Sequence, residues 1–332
     1  MSEPEIDPAE LPRVAPQAQF VAEHEAIGRS HVVVDGPVLP GTDLCLSHWP
    51  ATSTPAALRA DTSAQIVDKY LDAGPTGPEL TLVTNNHYDE DGLFGIWLLL
   101  EQPRHGQMRR RAVAAAEAGD FCTWSDPVAA KCALAVMAMA ERSTTPFPQI
   151  KRALATPDLG DPTEVLYRSI LPRVTSLLAD PGRYRLLWEP QWTKIEADID
   201  SLEAAESTID EFPELDLAVV RGPRPLHEMA VYPRTTAMRV LTATHDGLMS
   251  LRYRYETWVV YVSRSLAPRP NLAPSLKALS EEEPGLGRWR FEGIDPATPR
   301  LYFSDGRGKP AASGLSVGHV IEILRPRLER VA

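Results

Sequence analysis

The sequence has few cysteines, no long apolar run and no excess of basic residues. Its three cysteines, Cys45, Cys122 and Cys132, are odd in number and form no CxxC spacing, which indicates buried free thiols in a reducing cytoplasm. No uninterrupted apolar run approaches the roughly 18–20 residues that a membrane-spanning helix needs. The net charge of −11 disfavours an extended nucleic-acid or anionic-membrane surface, although it leaves room for a local basic cleft that binds a small phosphorylated ligand.

Several familiar catalytic and nucleotide-binding motifs are also not expected in this protein. The chain contains no Walker A loop, no Gly-x-Gly-x-x-Gly opening a helix and no His-Glu-x-x-His, and we expect no nucleophile elbow of the α/β-hydrolase kind. The cysteines have no evident histidine partner in the sequence. The first residues are acidic and lack the apolar region of a signal peptide, so we expect a cytoplasmic protein.

The order of apolar and polar segments predicts an α/β protein. Apolar runs at residues 31–36, 44–47 and 80–83 predict buried strands, and the helical patterns around them predict a parallel sheet flanked by helices. The last third of the chain carries strand patterns and a closing amphipathic helix. We therefore predict a loosely ordered arm, an α/β metal-site domain, a linker helix and a smaller α+β substrate or cap domain, over residues 1–28, 29–185, 186–210 and 211–332 respectively.

The most informative segment runs from Thr84 to Gly92, between an apolar strand and an apolar helix. It carries His87, Asp89 and Asp91 at alternating positions in the turn that follows the strand. In open α/β sheets this edge binds ligands, and imidazole with carboxylates suits a divalent metal. We therefore expect His87, Asp89 and Asp91 to be metal ligands and catalytic residues. The same residues also suit a capped turn without a metal.

Two further residues extend the predicted metal site. His48 ends the preceding strand in the same way, and Asp120 follows a glycine at the end of a helical segment. If the two strands are neighbours, two histidines and three aspartates could hold one or two ions, with Mn²⁺ favoured and Zn²⁺ or Fe²⁺ also compatible. Asn86 is a candidate for orienting the substrate. Asp35 and Asp43 are interpreted as structural turn acids.

The last third of the chain offers candidate substrate-binding residues. The turn at Asp246-Gly247 predicts a β-hairpin. The strands of this hairpin are predicted over residues 238–244 and 248–262, so Arg252, Arg254, Glu256 and Trp258 share one face of the second strand. The two arginines could then bind a phosphate or carboxylate, and the tryptophan could stack on a base or a sugar. The alternative is a solvated strand face on which the glutamate pairs with an arginine.

The pattern His87-x-Asp89-x-Asp91-Gly92, after a strand and before an apolar helix, resembles the first motif of the DHH phosphoesterase superfamily. This superfamily includes single-strand exonucleases, phosphodiesterases of nanoRNA and cyclic dinucleotides, and manganese pyrophosphatases. The resemblance implies a parallel-sheet metal domain, a smaller C-terminal domain that grips the substrate, and Asp120 as the acid of the second motif. The chain contains no Asp-His-His tripeptide and no Gly-rich substrate motif. Its richness in Ala, Arg and Pro also resembles actinobacterial-type families, which implies no function.

These observations predict a metal-dependent hydrolase of a phosphoester or phosphoanhydride, in which a metal-bound hydroxide attacks phosphorus. Nucleotide-derived compounds are among the candidate substrates. The alternative is a catalytically degenerate DHH-like module that binds a small anionic or nucleotide ligand, which the missing tripeptide favours. A third possibility is a metal enzyme acting on a non-phosphate substrate. We expect a small phosphorylated or anionic substrate, no membrane and no extended nucleic-acid partner, and a homodimer stays open.

Overall fold

The chain forms two compact units. The computed structural model describes three ranges of the chain, residues 7–103, 106–156 and 162–329. The first unit contains the described residues up to Thr193 together with the short segment Val259–Arg264. The second unit contains Lys194–Trp258 and the described residues from Ser265 onward. The chain therefore returns once from the second unit to contribute a short segment to the first.

A four-stranded sheet organises the first unit. Its strands are β1 (Arg13–Phe20), β2 (His31–Val34), β3 (Thr42–Leu46) and β4 (Glu79–Thr84). Their order across the sheet is β1-β4-β2-β3, and every neighbouring pair is parallel. Parallel sheets are covered on both faces, which agrees with the continuous apolar runs of the inner strands. The predicted α/β class with a parallel sheet flanked by helices is confirmed, while likeness to the DHH fold stays a prediction.

The helices of the first unit begin and end largely where capping and proline signals predict. The described helices up to the unit boundary are α1 (Glu23–Ala26), α2 (Ser63–Ala73), α3 (Glu90–Glu101), α4 (Gln107–Phe121), α5 (Pro127–Ala140), α6 (Pro148–Ala155), α7 (Thr163–Ile170), α8 (Val174–Ala179) and α9 (Arg185–Glu203). The hydroxyl of Thr62 caps α2 by accepting a hydrogen bond from the backbone N–H of Gln65. Pro172 lies in a short 3₁₀ turn that separates α7 from α8, because proline cannot continue the helical hydrogen bonding.

Residues 13–20 differ from the expectation of a loosely ordered N-terminal arm. They form β1 at the edge of the sheet, where Val14 pairs with Leu80 and Phe20 pairs with Val83. Val14 and Phe20 are buried. The Pro- and Glu-rich composition did not predict this strand, because the strand is stabilised by pairing with β4 rather than by local preference. Residues 1–6, which belong to the same predicted arm, lie outside the described residues.

The core of the first unit is built around α3. Every residue from Asp91 to Leu99 in this helix is buried, including Phe94 and Trp97. The sequence predicts this, because a helix that is apolar nearly all round must be covered on all sides. The N-terminus of α3 is thereby held rigidly at the edge of the sheet, directly after β4.

The second unit contains a six-stranded mixed sheet. Its strands are β5 (Thr208–Phe212), β6 (Leu217–Gly222), β7 (Arg239–Thr244), β8 (Met249–Tyr253), β9 (Arg288–Phe291) and β10 (Arg300–Ser304). They follow the order β5-β6-β7-β8-β10-β9, in which β6 and β7 are parallel and the other pairs antiparallel. The described helices of this unit beyond α9 are α10 (Glu228–Val231), α11 (Leu276–Glu282) and α12 (Val317–Leu328).

The predicted hairpin of the second unit is present, but its second strand is shorter than expected. Gly247 adopts a φ of +89° in the turn between β7 and β8, a conformation that suits glycine. Strand β8 ends at Tyr253, because the backbone N–H of Thr257 bonds the carbonyl of Arg254 and closes a 3₁₀ turn. The prediction that side chains alternate through Trp258 is therefore wrong. Within the described residues, no helix has the length and the apolar content needed to cross a bilayer.

Candidate metal centre

Three neighbouring strands of the first unit end beside one another at the carboxyl edge of its sheet. Asp35 follows β2 directly, while His48 lies shortly after β3 and His87 shortly after β4. Because β2 lies between β3 and β4 and all three are parallel, these side chains meet at one edge. The first turn of α3 then brings Asp91 to the same place.

Asp35 lies at the centre of two groups of candidate metal ligands. In the outer group, Oδ2 of Asp35 lies 3.4 Å from Nε2 of His87, which lies 2.8 Å from Oδ2 of Asp89. In the inner group, Oδ1 of Asp35 lies 3.3 Å from Nε2 of His48, which lies 3.7 Å from Oδ2 of Asp91. The ligand atoms of each group all lie within 4.8 Å of one another. The two oxygens of one carboxylate therefore face two different ligand sets.

The distances from Asp35 to the two histidines leave room for a metal ion. Neighbouring ligand atoms bound about 2.1 Å from one ion lie roughly 3–3.5 Å apart. The distances of 3.3 and 3.4 Å from Asp35 to the two histidines match that spacing and exceed those of good N–H···O hydrogen bonds. Oδ2 of Asp35 and Oδ2 of Asp120 are buried and form no hydrogen bond with any residue that the structure describes. Buried carboxylate oxygens of this kind could hold a metal ion.

Both histidines are oriented by a hydrogen bond at the ring nitrogen that faces away from the carboxylates. Nδ1 of His48 lies 2.6 Å from the carbonyl oxygen of Asp61, and Nδ1 of His87 lies 3.1 Å from Oδ1 of Asn86. When Nδ1 donates to these oxygens, Nε2 is left as the lone-pair nitrogen that a metal needs. Supporting hydrogen bonds of this kind usually accompany metal-binding histidines.

The returning segment Val259–Arg264 supports His48 from a second direction. The backbone N–H of Val260 donates to the carbonyl of His48 at 2.7 Å. The carboxylate of Asp61 accepts hydrogen bonds from the backbone N–H groups of Val262 and Ser263 at 2.7 and 2.9 Å, and from the Ser263 hydroxyl. Asp61 thus contacts the His48 ring through its backbone and the returning segment through its side chain.

The N-terminus of α2 supports the inner group. Its first backbone N–H groups, from Ser63 and Ala64, donate to the two oxygens of Asp91 at 2.6 and 2.8 Å. The hydroxyl of Ser63 donates to Oδ1 of Asp35 at 2.8 Å. A helix N-terminus carries a partial positive charge, so it stabilises these buried carboxylates. Asp91 therefore serves α2 as a capping group in addition to facing His48.

Carboxylates raise the pKa of both histidines. Burial alone would lower the pKa of His48, but its bond with Asp35 and the charges of Asp91 and Asp35 raise it to about 9. Burial likewise opposes protonation of His87, but the charge of Asp89 and the bond with Asp35 raise its pKa to about 11. A divalent cation can take the place of these two protons, because both satisfy the same carboxylates.

The pKa values of the acids in the cluster are shifted in opposite directions. Burial and the charge of Asp35 raise the pKa of Asp91 to about 7, and burial with the charge of Asp89 raises that of Glu90 to about 8. Burial and the charge of Asp91 hold the pKa of Asp120 well above its usual range. Burial also opposes ionisation of Asp35, but its interactions with the nearby His48 and His87 outweigh burial and lower its pKa. The cluster thus contains more acid than its two imidazoles neutralise.

The two groups differ in access to solvent. The side chains of His87 and Asp89 are 29% and 26% exposed, whereas those of His48 and Asp91 are fully buried. The outer group is therefore the one that a substrate could reach, and the inner group is enclosed by protein.

The structure brings together all five predicted metal ligands. Asp120 lies in the last turn of α4, and its Oδ2 lies 3.7 Å from Nε2 of His48. Asp35, interpreted from the sequence as a structural turn acid, belongs to both groups. Glu90, which was not predicted, is near enough for burial and the charge of Asp89 to raise its pKa. Position supplied a signal for Asp35, because it follows a strand just as His48 and the turn after β4 do. Asn86, a candidate for orienting the substrate, instead contacts the His87 ring.

The predicted substrate-binding residues Arg252, Arg254 and Trp258 belong to the second unit and do not share one strand face. Arg254 is buried, forms an ion pair with Glu256 and lies over the ring of Tyr232. Trp258 stacks on the ring of Tyr255. Only Arg252 keeps the position on β8 that the sequence predicts, with its side chain 35% exposed.

The pattern Gly-x-Ser-x-Gly, which is typical of a nucleophile elbow, does occur in the sequence at residues 314–318. Ser316 is the N-cap of α12, and its hydroxyl accepts a hydrogen bond from the backbone N–H of His319 at 3.2 Å. Its backbone is extended, with φ −74° and ψ 153°, rather than the strained turn of an elbow. The motif therefore begins a helix and forms no hydrolase elbow.

The fold and the cluster define a mixed α/β protein with a buried Asp/His group that could hold a metal ion. The chain belongs to the family described as "Family of unknown function (DUF6687)", whose model matches residues 16–313. No curated protein matches the chain.

Proposed function

We propose that this protein is a metal-dependent hydrolase of small phosphoesters or phosphoanhydrides that binds two divalent ions on either side of Asp35. The observation that carries the proposal is the sharing of one carboxylate by two His/Asp groups, with its two oxygens aimed at different imidazoles. Paired ions with a common carboxylate suit phosphoryl chemistry, because they can hold both the attacking and the leaving oxygen.

The residues of each group would have separate roles. Asp35, His48 and Asp91 would hold the enclosed ion, with Asp120 as a further oxygen ligand. His87 and Asp89, together with Asp35, would hold the ion at the solvent-exposed side. Bound divalent ions would acidify water and stabilise negative charge that develops on phosphorus. Imidazole and carboxylate ligands suit Mn²⁺, Zn²⁺ and Fe²⁺, and the predominance of carboxylates favours Mn²⁺.

A cavity in the first unit supports a substrate of nucleotide size. Its volume is about 930 Å³, and its polar lining includes Asn85, Gln149, Arg152 and the acids Glu23 and Glu164. Asn85 also belongs to the turn of the metal centre, where its Oδ1 accepts a hydrogen bond from the backbone N–H of Asn86 at 2.7 Å. Arg152 offers a guanidinium to a phosphate, and volumes in this range are typical of small-molecule sites.

Elemental analysis of the full-length protein after equilibration with Mn²⁺ tests the metal centre. We expect about two ions for each chain, and fewer in Asp89→Ala, while the control Asp43→Ala should match the wild type. Asp43 lies near the start of β3, away from the carboxyl edge, and contacts Ser30. Hydrolysis of p-nitrophenyl phosphate and bis-p-nitrophenyl phosphate then tests the chemistry. Absence of bound metal in the wild type would contradict the proposal.

A binding module without hydrolysis is the second candidate. Both oxygens of Asp91 already accept backbone hydrogen bonds from α2, which weakens this residue as a metal ligand. The missing Asp-His-His tripeptide points in the same direction. One bound ion, tight binding of a nucleotide and no turnover would favour this candidate over the hydrolase.

A further inference from the structure

The second unit contains a separate cavity of about 310 Å³. Its floor is one face of the sheet, at strands β7, β8 and β10. One wall is formed by the segment from Pro225 to Tyr232, which includes α10, and another by Pro310 and Ala311. All of its lining residues belong to the second unit. The cavity is therefore independent of the metal centre, and nothing in the hydrolase proposal depends on it.

The floor of this cavity consists of two rows of paired side chains. Val240, Arg252 and Arg300 form one row across the three strands. Thr242, Ser250 and Tyr302 form the next row in the same register. Because side chains alternate along a strand, the intervening residues, such as Leu241, Leu251 and Leu301, face the opposite side and pack in the core. The cavity floor is thus polar at its centre and apolar at one side.

The pairing of two arginines is the unusual feature of this floor. Arg252 and Arg300 are direct cross-strand partners, and like charges at such positions destabilise a sheet. Each is partly neutralised, since Arg252 contacts Glu228 and Arg300 lies 2.7 Å from Glu292. These four side chains are between 31% and 41% exposed, so the ion pairs are weak and can rearrange. An incoming anion can therefore contact both guanidiniums without leaving a buried charge unpaired.

The other lining residues indicate what the uncharged part of the ligand should be. Leu226, Val231 and Val240 are apolar, and Tyr232 also lines the cavity. The hydroxyls of the second floor row can accept or donate hydrogen bonds beside the arginines. A ligand that fits this lining carries one anionic head for the arginines and a compact apolar body for the walls. The volume lies at the small end of the range for small-molecule sites.

We infer that this cavity binds a small organic anion, either a carboxylate or a phosphate monoester, with its charged group at Arg252 and Arg300 and its apolar body against Val240 and Leu226. This site would make the second unit a ligand-binding domain in its own right. The carboxylate and the phosphate monoester share the same recognition chemistry, and direct comparison of the two distinguishes them.

Isothermal titration calorimetry with the full-length protein tests this inference. The probes are phenylacetate, phenyl phosphate and the neutral benzyl alcohol, which share a phenyl body and differ in the head group. At least one of the two anions should bind at least tenfold more tightly than benzyl alcohol, and the tighter one identifies the head group. Repeating the titration on Asp89→Ala separates this cavity from the metal centre, because binding in the second unit should be unchanged there.

Two variants locate the binding. Arg252→Met keeps the aliphatic stem but removes the charge, and should weaken the tighter anion at least tenfold. Val240→Trp fills the cavity and should abolish binding, with a thermal melt to verify folding. Arg288→Met, an exposed arginine of β9 outside the lining, is the matched control and should bind like the wild type. Equal binding of benzyl alcohol, unchanged binding by Arg252→Met, or no binding of either anion would each overturn the inference.

Discussion

Replacement of Asp35 by asparagine gives the sharpest test of the metal centre. Asparagine has nearly the same shape, and its Oδ1 can still accept the hydrogen bond that the Ser63 hydroxyl donates at 2.8 Å. The change removes one negative charge that faces both His48 and His87. If Asp35 is shared by two ions, Asp35→Asn must weaken the binding of both ions. Asp89→Asn must weaken only the ion of the outer group.

The expected size of the effect follows from the loss of one charge-assisted contact for each ion. Such contacts contribute about 1.5–3 kcal/mol when the charged partner is buried. Each ion should therefore bind about 10- to 150-fold more weakly in Asp35→Asn. Asp89→Asn should show a decrease of the same size for one ion, with the affinity of the second ion within about threefold of the wild type.

Competition titration with a coloured metal indicator measures both affinities in one experiment. Circular dichroism and thermal melts of the metal-free variants establish that the fold is retained. Asp43→Asn, which alters an acid near the start of β3, serves as the control for a general change in charge. If Asp35→Asn weakens only one ion, or if it leaves both affinities unchanged, the assignment of Asp35 as a shared ligand is wrong.

Three further predictions follow from the surroundings of the metal centre. Asp61→Asn, which weakens the hold on the returning segment, should lower the affinity of the inner ion about 10- to 100-fold, whereas Asp216→Asn, an acid that bonds a backbone N–H in the second unit, should not. A comparable loss in both variants would point to general destabilisation. Because the pKa values of His48 and His87 are raised to about 9 and about 11, both rings are protonated at pH 7 without metal. Metal binding should release these protons and tighten as pH rises towards 9, and calorimetry in buffers of different ionisation enthalpy counts them; binding without proton release contradicts this. Gly92→Ala should lower the free energy of unfolding by about 1–3 kcal/mol in urea titrations, because its Cβ would lie 2.4 Å from a buried amide nitrogen, and an unchanged midpoint would refute that clash.

Asp91 illustrates how one residue can serve structure and chemistry together. Its carboxylate accepts hydrogen bonds from the first backbone N–H groups of α2 and also faces His48. Helix capping alone explains an acid at this position. It does not explain why the same carboxylate lies beside a buried histidine and Asp35. The metal proposal accounts for both, since each carboxylate oxygen has a second lone pair that can face an ion.

Local features of the sequence were sufficient to predict much of the fold of the first unit. The apolar runs of β2, β3 and β4 and the apolar helix α3 predict a parallel α/β sheet, because buried strands and buried helices must be apolar on all sides. The cap at Thr62 and the break at Pro172 are equally local. The turn after β4 predicts a cluster of ligands at the carboxyl edge, because the strand direction determines where that turn lies.

Only the tertiary structure decided which acid lies at the centre. Asp35 follows a predicted strand, as His48 does, but its central position depends on β2 lying between β3 and β4, an order that no local pattern specifies. The strand β1 and the support that Val259–Arg264 gives to His48 likewise depend on pairing between distant parts of the chain. Composition and periodicity report local preference and burial, whereas a metal centre is assembled from side chains that become neighbours only when the chain has folded.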